Sequence, residues 1–278
     1  MSGCIKESIL AIKYDQDKKG FHMLFVTTDH PVEGVLRIGL NRPEKRNAIN
    51  PELRYALIDA FTAARDDADV HAIIIAGNEG HFCAGGDIDS MAGVTVQSAR
   101  ARMKSNHLMV RLMAESEKPI IAAVEGFAVG AGAGIAMMAD TVVMAETATI
   151  GFPFFRIGLV PDYALLYSLP RRVGVARARQ ILLYARILKG ADAFDAGLAD
   201  EMVGDGETEA RAVELAIELA AMPPQAFAIA RRQLGLFPTD LESALEMEAM
   251  AQAACMTSSE FAEGSTAFKE KRKPKFRG

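Results

Sequence analysis

Residues 126–140 read GFAVGAGAGIAMMAD and follow the apolar run PIIAAVE at 119–125. Four glycines and five alanines in fifteen positions strip the chain of side chains just where a buried strand gives way to a helix. Gly and Ala there let backbone N–H groups at the loop-to-helix junction approach a ligand, with the positive end of the helix dipole behind them. The bland alternative is that small residues simply let the helix pack closely on the sheet.

Working outward, the same pattern occurs once more. HAIIIAG at 71–77 is a short apolar strand of the kind buried on both faces, and the loop CAGGDI at 83–88 runs into a helix start. AIIIAG…CAGGDI and IIAAVEG…GAGAGI are near copies about 47 residues apart, so strand, glycine loop and helix repeat as one supersecondary unit. Two such junctions could aim two N–H donors at one oxygen, the plan of an oxyanion hole. A dinucleotide fingerprint fits worse, because residues 130–134 read G-x-G-x-G and no acid follows at the expected distance.

The remaining chain frames these units. Residues 1–20 are polar and turn-rich, an expected N-terminal extension, and 21–40 read as two β-rich runs split by a turn at His30-Pro31…Gly34. NPELRYALIDAFTAARDD at 50–67 predicts a helix capped by Asn50, with Pro51 first and Leu53, Leu57, Ala60, Phe61 and Ala64 forming one stripe. A second helix is expected around 97–115. From 174 the text turns helical, so the expected organisation is an α/β core over 21–203 and a C-terminal helical region over 204–278.

With 278 residues, half of them hydrophobic, the chain can bury a large core. Its net charge of −5 argues against nucleic acid or an anionic membrane as main partner. No apolar run reaches the roughly 18 residues of a spanning helix, and MSGCIKESIL is no signal peptide. Three scattered cysteines, Cys4, Cys83 and Cys255, suggest neither a disulfide framework nor a metal cluster, so a cytoplasmic, metal-free protein is expected.

LNRPEKRNAIN (40–50), HFCAGGDI (81–88), PIIAAVEGFAVGAGAGIAMMAD (119–140), RIGLVPD…SLPRRVG (156–174), ADAFDAGLADEMV (191–203) and EFAEGSTAFKEKRKPKF (260–276) together resemble the enoyl-CoA hydratase/isomerase (crotonase) family. The resemblance spans about residues 23–277 in order. It implies a spiral of ββα turns, a C-terminal trimerisation region giving a homotrimer or hexamer, and a coenzyme A thioester substrate, with no separate cofactor. By position the oxyanion donors are the N–H groups of Gly86 and Ala131. The implied coenzyme contacts are Lys45, Arg46, Ala48, Ala84, Asp87 and Ile88, with Phe268 and Lys271 from a neighbouring subunit closing the site.

The resemblance also shows what is missing. Family hydratases hold water between two glutamates, and at those positions this chain has Gly134 and Phe154, expected to line the acyl pocket instead. Asp162, in the isomerase-like run F-x-R-I-G-L-V-P-D, is the remaining acid and the candidate base or nucleophile. As an Asp after Pro it could equally be a helix N-cap. Phe152, Phe154, Phe155 and Leu159 are its expected apolar neighbours, whose burial would raise its pKa. Where many isomerase-like relatives read PDAGG, this chain reads PDYALLYSL, exchanging two glycines for Leu165 and Leu166 and adding Tyr163. The expected activity is enoyl-CoA-type isomerisation. Hydration, thioester hydrolysis and dehalogenation on the same fold, or silent acyl-CoA binding, are the alternatives. His107, Glu115, Glu117 and Glu125 are expected to be structural or solvated, and Cys83 to be core.

Overall fold

A computed structural model describes residues 25–236 and 240–277. The expected extension at 1–20 and Cys4 lie outside the described residues. β1 (Val26–Val32) and β2 (Val35–Leu40) form the antiparallel pair anticipated from the sequence. The turn lies at Glu33-Gly34, the end of the expected His30-Pro31…Gly34 stretch, and Pro31 itself is tolerated within β1 because β1 is the edge of the sheet. Gly34 takes φ +77°, the left-handed geometry such a turn needs.

Asn50 caps α1 (Pro51–Asp66), its side chain accepting from Leu53 N–H at 2.9 Å. Leu53, Leu57, Phe61 and Ala64 are buried as the stripe predicts, and Arg54 and Ile58 are buried with them. β3 (Ala72–Gly77) and β4 (Ile120–Val124) follow, and their register pairs Ile73 with Ile120 and Ile74 with Ile121. That offset equals the 47-residue repeat of the sequence, so equivalent residues of the two copies lie side by side. Between them runs α2 (Val96–Ala114), started by a capping box of Thr95 and Ser98.

β5 (Phe127–Val129) and α3 (Ala131–Ala136) complete one turn, and β6 (Thr141–Ala145), β7 (Thr149–Gly151) and α4 (Leu165–Val173) complete the next. Each of these turns gives one strand to a large sheet and one to a small sheet before its helix. α5 (Val175–Leu183), β8 (Ile187–Lys189), α6 (Gly190–Asp195) and β9 (Glu201–Val203) close the core. The large sheet has the order β1-β2-β3-β4-β6-β9, parallel apart from β1, and the small one the order β5-β7-β8. This is the expected spiral of ββα turns.

Four helices follow: α7 (Thr208–Ala220), α8 (Pro224–Leu236), α9 (Leu241–Met256) and α10 (Ser259–Glu270). The first of them packs on the sheet. Ala212 and Ala216 of α7 lie buried against Ile74, Ile121 and Val143, so residues counted with the helical region cover one face of the core. The other face carries the larger apolar cluster, including Leu40, Phe61, Phe82, Met109 and Phe152. α8–α10 instead carry exposed apolar side chains, among them Leu234, Leu245, Met250, Phe261 and Phe268. No single helix among the described residues is long and apolar enough to cross a membrane.

Candidate active site

The two glycine loops meet. Cys83 pairs with Ala128 as an isolated parallel bridge, its N–H donating to Phe127 O at 2.7 Å and its carbonyl accepting from Val129 N–H at 2.9 Å. Gly85 holds φ +109°, and a Cβ on it would stand 2.9 Å from Val129 O and 3.9 Å from Ala131 N. Gly130 faces it at φ +56°, where a Cβ would be in ordinary contact, 3.8 Å from Gly85 Cα, so the backbone angle is what favours glycine there. Only glycine combines these dihedrals with this approach.

Gly86 and Ala131 each lie one residue past that contact. Gly86 bridges to Ile49, but the bonds of that bridge use its neighbours: Ile49 N–H donates to Gly85 O at 2.7 Å and Asp87 N–H to Ile49 O at 3.0 Å. The N–H of Gly86 points the other way, and Ala131, opening α3, has an N–H that belongs to the unpaired first turn. Among the described residues neither N–H is taken by a protein acceptor. Gly132 completes the junction: a Cβ on it would fall 2.3 Å from Cys83 O, so α3 rests directly on the first loop.

EKRNA is tied to the same loop. Asn47, fully buried, donates to Asn78 O and to His81 O and accepts from Arg42 N–H. Ala84 N–H donates to Arg46 O at 2.9 Å, and Arg42 donates to the Ala48 carbonyl. Arg46 lies over the Phe127 ring, which also stacks on His81. Lys45 is exposed beside Asp89 and Ile88 is exposed, so both face solvent at the mouth of the loop. Asp87 is engaged otherwise: its carboxylate pairs with Arg42 at 2.7 Å and accepts from Asp89 N–H. Burial pushes that carboxyl up, but Arg42 beside it holds it below its ordinary value. Phe268 on α10 and Lys271 just after it are both exposed, and α10 packs against α9.

Asp162 follows Pro161 on the segment that passes α3. It does not cap α4: the residue before α4 is Ala164, in the left-handed region with no side-chain cap. The carboxylate points inward instead. Oδ2 receives a long hydrogen bond of 3.4 Å from Asn106 Nδ2, and Oδ1 is buried without a partner. Burial raises its pKa to about 6, and the charge of Arg102 opposes that rise. Of the expected apolar neighbours, Phe152 and Phe154 are buried but Phe155 and Leu159 stand exposed. Of the two leucines that replace glycines, Leu165 is buried and Leu166 faces solvent.

Tyr163 takes φ +48° and is 3% exposed. A Cβ on Gly134 would stand 2.5 Å from Tyr163 Cβ and 3.5 Å from Asp162 O, so this segment fills the space in front of Gly134. Burial, followed by the charge of Asp162, raises the Tyr163 phenol above its ordinary pKa. Phe154 lies alongside, its ring 3.9 Å from where a Gly130 Cβ would be.

Three further polar groups reach this space that the sequence had not singled out. Arg54 of α1, 4% exposed, donates to Asn106 Oδ1 at 3.4 Å, and its Nε is buried without a partner. Asn106 thus stands between Arg54 and Asp162. Arg102 donates to Ser90 Oγ at 3.2 Å, and its Nη2 lies 3.3 Å from where a Cβ on Gly86 would be. The signal was there in α2: Met113, Met109, Asn106 and Arg102 are spaced four, three and four apart, one inward face that turns polar toward its N-terminus. Elsewhere His107 is exposed, Glu125 accepts from Gly206 N–H and Thr208 Oγ1 at the start of α7, and the buried Cys83 thiol is pushed up to about 12 by burial.

Comparison with known proteins finds a matching family and several relatives. The family model described as enoyl-CoA hydratase/isomerase matches residues 31–278. A crotonyl-CoA hydratase of Syntrophomonas wolfei is 34% identical over 239 residues, covering 85% of this chain and 92% of that protein. A 1,2-epoxyphenylacetyl-CoA isomerase of Escherichia coli is 30% identical over 261 residues, covering 92% and 100%. The crystal structure of an enoyl-CoA hydratase from Bacillus anthracis superposes with a TM-score of 0.87 at 28% identity, over 91% of this chain and 99% of that one.

Proposed function

The chain belongs to the enoyl-CoA hydratase/isomerase family and is an acyl-CoA-processing enzyme, and from that premise we propose that it is an isomerase working through one carboxylate. The observation that carries this reading is the Asp162–Tyr163 segment against Gly134: the site has one inward acid, and the neighbouring space is filled by tyrosine. The isomerase name of the Escherichia coli relative supports it, while the hydratase name of the Syntrophomonas wolfei relative supports hydration as the second reading.

In the proposed reaction the N–H groups of Gly86 and Ala131 hold the thioester oxygen. The Asp162 carboxylate takes a proton from carbon 2 of a 3-enoyl thioester, giving a dienolate whose negative charge rests on that oxygen. The protonated Asp162 then returns the proton to carbon 4, moving the double bond to carbons 2 and 3. Nothing is added or lost, so the step needs neither water nor a redox cofactor. A pKa near 6 suits a base that must give its proton back. Lys45, Arg46, Ala48, Ala84 and Ile88 form the proposed coenzyme side. The exposed apolar row of α8–α10 supports a homo-oligomer, in which Phe268 and Lys271 of one subunit would reach the next.

The test is product identification by mass spectrometry on 3-enoyl- and 2-enoyl-CoA thioesters, with the wild type beside Asp162→Asn. A shifted double bond at unchanged mass, lost in the variant, is expected. Gain of one water that survives the variant would overturn the assignment in favour of hydration, and thioester that binds unchanged would overturn it in favour of a silent binder.

A further inference from the structure

Around Asp162 the buried charges do not balance. Arg54 and Arg102 approach closely enough that Arg54, after burial, is the next cause depressing the Arg102 pKa. Neither guanidinium is in an ion pair among the described residues: Arg54 reaches the Asn106 amide and Arg102 the Ser90 hydroxyl. Asp87, which also acts on Arg102, is committed to Arg42 at 2.7 Å. Two cations therefore face a single carboxylate whose Oδ1 finds no donor. Surplus positive charge in so enclosed a place is costly unless an anion completes it.

The position of the surplus says where that anion would sit. Arg102 Nη2 and Met91 Cε, 3.3 and 2.6 Å from the place of a Gly86 Cβ, occupy the side-chain side of the residue whose N–H is the proposed oxyanion donor. A thioester held on that N–H would run its acyl chain past Met91 to the Arg102 fork. A partly exposed guanidinium that makes no hydrogen bond to a carboxylate is suited to bidentate capture of one. We propose that Arg102, backed by the field of Arg54, reads a carboxylate on the acyl group, so that the substrate is a monothioester of a short unsaturated dicarboxylic acid. The distance from Gly86 to Arg102 leaves only a few carbons between the two ends. This inference rests on the acyl pocket proposed above, but not on which reaction occurs there.

Binding separates the two. Calorimetric titration of the full chain with glutaryl-CoA and with pentanoyl-CoA, equal in carbon number and unable to shift a double bond, reads the pocket without turnover. The wild type is expected to bind glutaryl-CoA about 10- to 100-fold more tightly. Arg102→Gln should bring the two to parity, and Arg102→Lys, which keeps the charge but not the fork, should leave part of the preference. Equal binding of the two by the wild type would overturn the proposal. So would an Arg102→Gln variant that weakens both thioesters alike, because the arginine would then be serving the phosphates of coenzyme A. Loss of isomerisation with the preference intact would count against the proposed reaction alone, and isomerisation without the preference against the dicarboxylate alone.

Discussion

The two ends of the site are built from different material. At the proposed thioester end the working groups are backbone, the N–H donors of Gly86 and Ala131, on two loops whose close approach rests on Gly85 and Gly132 carrying no side chains. At the proposed acyl end the groups are side chains, Asp162, Asn106, Arg102 and Arg54, drawn from three separated helices or loops. The first end is fixed by the main chain and tolerates most changes except bulk. The second can change its chemistry by single substitutions, which is how one fold supports several acyl-CoA reactions.

The largest expected effects break one end at a time. Asp162→Asn should lower kcat/KM for double-bond migration by about 10²–10⁴-fold, measured on a 3-enoyl-CoA thioester, while leaving the oxyanion end untouched. Gly132→Ala strikes the other end: its Cβ would meet Cys83 O at 2.3 Å, so α3 must lift from the first loop. Activity should fall about 10²–10³-fold, the weight of one oxyanion donor. Gly235→Ala, whose added Cβ meets nothing within 4 Å, is the helix control and should leave kinetics unchanged.

A smaller effect reads the acyl end by pH. With Asp162 at about 6 and required as carboxylate, kcat/KM should be flat above that value and fall about tenfold per unit below it. Arg102, Arg54, Tyr163 and Asn106 are the charged and polar groups facing it.

The smallest effect is on stability, and its sign follows from the same shift. A carboxyl raised in the folded state binds protons there more readily than in the unfolded chain, so stability falls as pH rises from about 4 to about 6. Asp162→Asn removes that loss. At neutral pH it should be more stable than the wild type by at most about 3 kcal/mol, two pKa units at 1.36 kcal/mol each, read by denaturant unfolding. A destabilised variant would mean that the carboxylate is a structural partner.

The same contrast explains what could be read from the sequence. Strands, the 47-residue repeat and the Asn50 cap were legible because their causes are local: apolar runs, Gly-Ala loops, a capping residue beside Pro51. The oxyanion donors were placed through family resemblance, and the glycine contacts give that placement a steric cause. Arg54, Arg102 and Asn106 were missed because their meaning depends on α1 and α2 facing one segment near residue 162, which no local pattern encodes. The pairing of Asp87 with Arg42, which spans 45 residues, was not legible either. The turn after β1 falls at the Gly34 end of the expected stretch, because an edge strand accepts Pro31 and keeps it within β1.

The most direct measurement follows deuterium from solvent into a 3-enoyl-CoA thioester by mass spectrometry, with wild type and Asp162→Asn side by side at about pH 8, well above the Asp162 pKa. Migration of the double bond in the wild type, with label at carbon 4 wherever the Asp162 proton exchanges with solvent before its return, and no migration in the variant, is the expected result. Migration or water addition that proceeds equally well in Asp162→Asn would contradict a reaction carried by this one carboxylate.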